Sequence, residues 1–131
     1  MEYKVQTSKP SQVIDVTSIV REAVTKSGVM EGIVVVFVPH TTAGITINEN
    51  TDPNVGLDFL ADINKVFPEK MEHKHLEGNS HAHIKASIIG SSVTVIIEHG
   101  KLKLGPWQGI FLCEFDGPRN RKIYIKTIKS E

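Results

Sequence analysis

The sequence predicts an α+β fold: one compact domain spanning residues 1–131, with a mixed β-sheet or sheets carrying about three helices. Apolar residues recur at helical spacing in three separate segments. Short runs rich in Val, Ile and Thr, bounded by glycine-bearing turns, fill much of the remainder. No repeat, low-complexity tract or linker divides the chain, and 131 residues is the length of one ordinary domain.

Residues 2–8 alternate loosely and read as a first strand. Val16, Ile19, Val20, Ala23 and Val24 then mark a helix from Val16 to Ser27, with Asp15 or Thr17 as its N-cap and Gly28 as its stop. Residues 31–38 form a Val-rich run too short for a typical helix, and it reads as a strand buried on both faces. GITIN, residues 44–48, gives another short strand. In TDPNVGLDFLADINKVFP, Asp52 caps, Pro53 takes the first helical position, and Pro68 ends the helix. Asn79 or Ser80 caps a third helix, His81 to Ile89, closed by Gly90. Residues 92–98, 107–115 and 122–128 are β-rich runs, and residues 99–105 form a short strand or hairpin arm.

Lys plus Arg and Asp plus Glu number 15 each, so there is no global basic footprint and nucleic acid is a poor partner. The longest apolar run, residues 33–38, is far below the ~20 residues of a membrane span. The single cysteine, Cys113, lies in the apolar stretch IFLCEF and reads as a small buried hydrophobe. With no internal disulfide available and no apolar leader in MEYKVQTSKP, a cytoplasmic location is expected.

Three stretches carry candidate chemistry. Four of the six histidines fall in HKHLEGNSHAH, residues 73–83, and imidazole beside carboxylate suits a divalent metal ion. On a helix His81 and His83 lie about 200° apart, so only one can face a given site. His83 is the better candidate, near the apolar face shared by Ile84 and Ala86, whereas His81 pairs with Lys85 at i,i+4 on a wetter face. His75, in the loop before the cap, is free to converge with it. In PHTTAGITINEN, residues 39–50, His40 follows the buried strand, and Thr41 and Thr42 offer hydroxyls to an anion. Asn48, Glu49 and Asn50 lie at the far end of the next strand. In FDGPRNR, residues 115–121, Asp-Gly-Pro forms a turn flanked by Arg119 and Arg121, side chains suited to bidentate contact with phosphate or carboxylate. Each stretch also has a plain structural reading, as loop, turn or satisfied core group. The nucleotide phosphate loop, the GxGxxG fingerprint, paired CxxC and the GxSxG elbow are absent.

In this order, PHTTAGITINEN, HLEGNSHAHIKASIIG and GKLKLGPWQGIFLCEFDGPRNR resemble the YjbQ family of small proteins, from about residue 35 to the C-terminus. The resemblance implies a compact α+β domain that assembles as a homotrimer, with subunit interfaces helping to build the site. It also implies a weak, secondary thiamine-phosphate synthase activity, in which a pyrimidine diphosphate is joined to a thiazole phosphate and diphosphate leaves. His40 of PHTTA, His75 and Glu77 of HLEGN, His83 and Lys85 of AHIK, and Asp116 and Arg119 of DGPR match the family motifs. His73 and His99 fall outside them, and Met71 and His73 stand where relatives carry an aromatic.

On this reading His40, His75 and His83 hold a divalent ion, which is Zn, Mg, Mn or Ni. Arg119, with Thr41 and Thr42, binds phosphate, and Lys85 helps stabilise the departing diphosphate. Glu77 or Asp116 acts as general base or supports the metal. The partner is then a small phosphorylated molecule, with no nucleic acid and no membrane. The competing expectations are a metal- or anion-binding module without turnover, and a structural trimer whose histidines settle loops.

Overall fold

The computed structural model describes residues 1–69 and 72–130. Its elements run β1 (Glu2–Gln6), β2 (Gln12–Asp15), α1 (Thr17–Ser27), β3 (Gly32–Phe37), β4 (Ala43–Glu49), α2 (Pro53–Val66), α3 (Ser80–Ile89), β5 (Ser92–Glu98), β6 (Lys101–Leu102), β7 (Gln108–Glu114) and β8 (Asn120–Lys129). The fold is α+β with three helices, as the periodicities require. The short strand β2 has no counterpart in the sequence reading, because QVID is too brief to show alternation.

The expected mixed sheet is not present. One sheet has five strands in the order β1-β8-β3-β5-β6, the other three in the order β2-β7-β4, and every pairing is antiparallel. The connectivity explains this. A parallel neighbour needs a crossover within one sheet. Here α1 carries the chain from the small sheet to the large one, and the α2–α3 segment does the same, so no helix joins two strands of a single sheet.

The two sheets pack face to face. Val34 and Val36 of β3, Ile123 and Ile125 of β8, Val95 and Ile97 of β5, and Ile110 and Leu112 of β7 fill the space between them, with Val20, Ala23 and Val24 of α1. On the other face of the small sheet, Cys113 and Phe115 meet Ala82 and Ala86 of α3 and Phe59, Leu60 and Ile63 of α2. Burial holds the Cys113 thiol at a pKa of about 12, so it is the inert hydrophobe the sequence suggests.

The expectation that β3 is buried on both faces holds for one face only. Val34 and Val36 turn inward, while Ile33, Val35 and Phe37 turn to the outer side of the five-stranded sheet, which no helix covers among the described residues. There Ile33 sits between Ile128 and Ile96, and Phe37 pairs with Tyr124, their rings stacked at 6.4 Å.

The caps follow local chemistry. The N-cap of α1 is Val16, not Asp15 or Thr17, because the helix begins at Thr17; Asp15, two residues before it, accepts the Thr17 N–H at 2.9 Å, and Gly28, at φ 71°, closes α1 in the left-handed region. Asp52 accepts the Asn54 N–H at 2.9 Å ahead of Pro53. No described helix is long and apolar enough to cross a membrane.

Candidate functional site

Three segments deliver polar side chains to one end of the sheet pair. The chain crosses from β3 to β4 through His40, Thr41 and Thr42. β7 ends at Glu114 and leads to Asp116, and the turn after it places Arg119 just before β8, whose second residue is Arg121. The loop ahead of α3 brings His75 and Glu77, and the helix start brings Asn79 and His83. His40, His75, Glu77, Asn79, His83 and Arg119, with Thr41, Thr42 and Arg121, line a cavity of about 380 Å³.

Beneath it lies a buried ion pair. Arg121 donates from Nε to Glu114 Oε1 at 2.9 Å and from Nη2 to Oε2. Glu114 also accepts the Thr7 hydroxyl at 2.7 Å and the Asp116 N–H at 3.1 Å. Burial pushes the Glu114 carboxyl up, but these bonds and the Arg121 charge outweigh it and hold the pKa below the ordinary value. Arg121 Nη2 further donates to Thr42 Oγ at 2.8 Å. Thr42 is buried, and its hydroxyl oxygen serves the guanidinium; Thr41 is the exposed one of the two.

His40 Nε2 accepts the backbone N–H of Lys122 at 2.9 Å. That bond places the ring proton on Nδ1 in the neutral tautomer. Burial, followed by the charge of Arg121, lowers the His40 pKa and keeps the ring neutral. His40 is therefore a hydrogen-bond donor here.

Asp116 accepts Asn79 Nδ2–H at 2.7 Å and Arg119 Nη2–H at 2.8 Å, and Arg119 Nε donates to the Asp116 carbonyl at 2.7 Å. Burial raises the Asp116 pKa; the bonds from Asn79 and Arg119 and the arginine charges bring it below its usual value. Asp116 thus positions Arg119 and is a weak base. Asn79 stands at the N-cap of α3 but makes no capping bond. Its Nδ2 faces two carboxylates, Asp116 and, at 3.4 Å, Glu77, which fixes the amide orientation. Asn79 Oδ1 is then the one buried side-chain polar atom without a partner among the described residues.

The expected metal triad does not assemble. His75 and His83 meet edge to face with ring centroids 5.1 Å apart, and Glu77 Oε1 is 4.0 Å from His75 Nε2. His40 Nε2 is occupied by Lys122, and a metal at Nδ1 would force a proton onto Nε2 against that N–H. Among the described residues no three His, Cys, Asp or Glu side chains form a group able to hold an ion.

Lys85 is not in this cavity. It lies with His81 in a separate cavity, whose wall includes Asp116. The wetter face expected for these two is in fact buried: His81 is 7% and Lys85 2% exposed, because the end of α2 and residues 10–11 cover that side of α3. The i,i+4 pairing holds, with Lys85 Nζ 2.9 Å from His81 Nδ1. Asn48, Glu49 and Asn50 line a third cavity, of about 340 Å³, under α2, with no histidine, lysine or arginine in its wall. Met71 lies outside the described residues, and His99 is an exposed turn residue 3.6 Å from Glu31.

Glu114 and Asn64 have no site role in the sequence reading, Asn79 is read there only as a cap, and Arg121 as a contact for an anion instead of a buried partner of Glu114. Strand alternation carried a signal for two of them. Glu114 shares the inward face of β7 with Ile110 and Leu112, and Arg121 that of β8 with Ile123 and Ile125. A charge at an inward position marks a buried partner.

Two antiparallel sheets, a helix pair on the smaller one, and a polar cavity at their common end define a class of small single-domain α+β protein. The chain belongs to the YjbQ family: it matches the family described as UPF0047 protein YjbQ-like over residues 1–130. It is 50% identical over 127 residues to a UPF0047 protein of Methanocaldococcus jannaschii, covering 97% of this chain and 92% of that one. It is 48% identical over 126 residues to the UPF0047 protein YugU of Bacillus subtilis, covering 95% and 96%. Among solved structures, an uncharacterised YjbQ/UPF0047 protein of Clostridium acetobutylicum superposes with a TM-score of 0.96 at 61% identity, covering 98% and 99%. A protein of unknown function from Sulfolobus solfataricus P2 gives 0.95 at 34%, covering 99% and 96%.

Proposed function

We propose that the His40–Arg119 cavity binds a small phosphorylated molecule. The observation that supports this best is the setting of Arg119. Asp116 holds it through Nε and Nη2, and Nη1 has no partner among the described residues. A guanidinium fixed on one edge and free on the other is preorganised for a phosphate oxygen. The Nδ1–H of His40 and the hydroxyl of Thr41 supply neutral donors beside it.

The finer proposal is the family's secondary chemistry, a weak thiamine-phosphate synthase activity with Arg119 stabilising the departing diphosphate. The alternative is a binding module without turnover. Asp116, held by two donors, makes a poor base, which favours the module over an efficient enzyme. Calorimetric titration with diphosphate tests the shared reading. Arg119→Ala and His40→Gln are expected to weaken binding about tenfold each while the unfolding midpoint stays near wild type. Unchanged affinity in both variants sinks the phosphate site, and product formation by the wild type separates the enzyme from the module.

A divalent ion is a second reading, carried only by the His75–His83 pair. Plasma mass spectrometry of wild type and His83→Ala tests it, and no metal in either after soaking with Zn, Mn and Ni removes it. Two further readings concern the setting of the protein. The unpaired buried Cys113 fits the cytoplasm, and the open face of the large sheet fits assembly as a homotrimer.

A further inference from the structure

The cavity of Lys85 and His81, about 450 Å³ in volume, is built differently from the phosphate site. Lys85 Nζ reaches two acceptors, Asn64 Oδ1 at 2.6 Å and His81 Nδ1 at 2.9 Å. The Asn64 orientation is set from outside: its Nδ2 donates to Ser11 Oγ at 3.2 Å, which turns its oxygen to the lysine. With Nζ donating to His81 Nδ1, the proton of the neutral ring sits on Nε2, on the side of Glu69 Oε1 at 3.7 Å. A neutral amine has two N–H bonds, and both are matched here. The remaining tetrahedral direction at Nζ has no protein partner among the described residues, and Lys85 lines the cavity wall.

The same geometry suits an ammonium poorly. Its third N–H lacks an acceptor, and burial lowers the Lys85 pKa against the opposing pull of Glu69. The groups facing Lys85 and His81 are Glu69, Asp116 and, more remotely, His73. Burial also lowers the His81 pKa, so the ring is a neutral base beside the amine.

We propose that Lys85 is a nucleophilic amine that condenses with a small, uncharged aldehyde or ketone in this cavity. The Nζ lone pair attacks the carbonyl carbon, and one proton of the resulting ammonium passes to the carbonyl oxygen to give a neutral carbinolamine. His81 Nδ1, within hydrogen-bond reach of Nζ, takes the second proton from the carbinolamine nitrogen and returns it to the departing hydroxyl. Water leaves with the carbonyl oxygen and the two amine hydrogens, and a C=N bond to Lys85 remains. Glu69 and Asp116 in the wall disfavour a phosphorylated or carboxylated substrate, and Phe115, Pro10 and Pro68 accommodate a short apolar chain. This site is independent of the phosphate reading.

The test is a short pulse of propionaldehyde with cyanoborohydride on the full-length protein, mapped by peptide mass spectrometry from pH 6 to 10. Lys85 is expected to be labelled at least tenfold faster than exposed lysines such as Lys4, with its rate reaching half-maximum below the ordinary lysine value of 10.5. Lys85→Arg removes the fast label, and Asn64→Leu slows it while leaving diphosphate binding intact. Labelling confined to exposed lysines, or Lys85 reacting only once the protein is unfolded, overturns the proposal and makes Lys85 a structural group. Because the wild type alone decides this, a variant that fails to fold does not obscure the result.

Discussion

Glu114 and Arg121, with side chains 0% and 4% exposed, are the residues on which the candidate site stands. Removing one partner strands a buried charge, so Arg121→Met is expected to cost about 3–5 kcal/mol in urea unfolding. If its loss stays below about 1 kcal/mol, the pair behaves like an exposed one. The pH dependence follows from the lowered pKa values of Glu114 and Asp116. In the unfolded chain both carboxyls bind protons at a higher pH than in the folded one. Their contribution is thus present at neutral pH and is lost as pH falls below the ordinary values of 4.5 and 3.8. A melting-temperature profile is expected to drop over that range in wild type and to flatten in Glu114→Gln, measured against its own plateau. Gly117, in the turn between these residues, has no room for a side chain. A Cβ there would lie 2.3 Å from the Lys9 carbonyl oxygen and 2.9 Å from Thr7 Oγ. Gly117→Ala is expected to destabilise by about 1–3 kcal/mol and to weaken diphosphate binding through Arg119; a neutral effect on both would contradict this.

At the scale of elements, the helices were legible because period and caps are local. Asp52, Pro53 and the stripe from Val55 to Ile63 define α2 without reference to the rest of the fold. Asp52→Ala is expected to cost about 1 kcal/mol by calorimetry. α2 is also the least embedded helix, with none of its residues fully buried. Its amides are expected to exchange with deuterium before those of α1, which buries Val20, Ala23 and Val24. Slower exchange in α2 would show that something beyond this chain covers it. The burial of α3 was misread for a physical reason. Its i,i+4 spacing shows that His81 and Lys85 share a face, but which face is dry depends on Asn64 and Ser11, which are remote in sequence. Likewise β3 reads as a doubly buried strand from composition, yet alternation in an antiparallel sheet leaves Ile33, Val35 and Phe37 outside.

Those outward residues matter for the whole molecule. Ile96, Ile128 and Phe37 are 56%, 51% and 41% exposed on one sheet face. A cluster of this kind on a single chain marks a contact surface. If the protein is a homotrimer that covers this face, Ile96→Glu with Ile128→Glu is expected to shift its sedimentation to that of a monomer. Retention of a trimer in that double variant would put the interface elsewhere.

The sequence by itself determined the class, the three helices, most of the strands, and the family motifs that hold the candidate residues. These depend on periodicity, caps and short patterns, all of which act within a few residues. Only the tertiary structure decided that the sheets are antiparallel and that Glu114 and Arg121 underlie the site. It alone separated Lys85 from the cavity of His40 and Arg119, and turned His40 Nε2 to the Lys122 N–H. Each of these depends on contacts between distant segments. The cost of burying a charge or an unpaired polar atom, which selects among such contacts, is felt only once the segments meet.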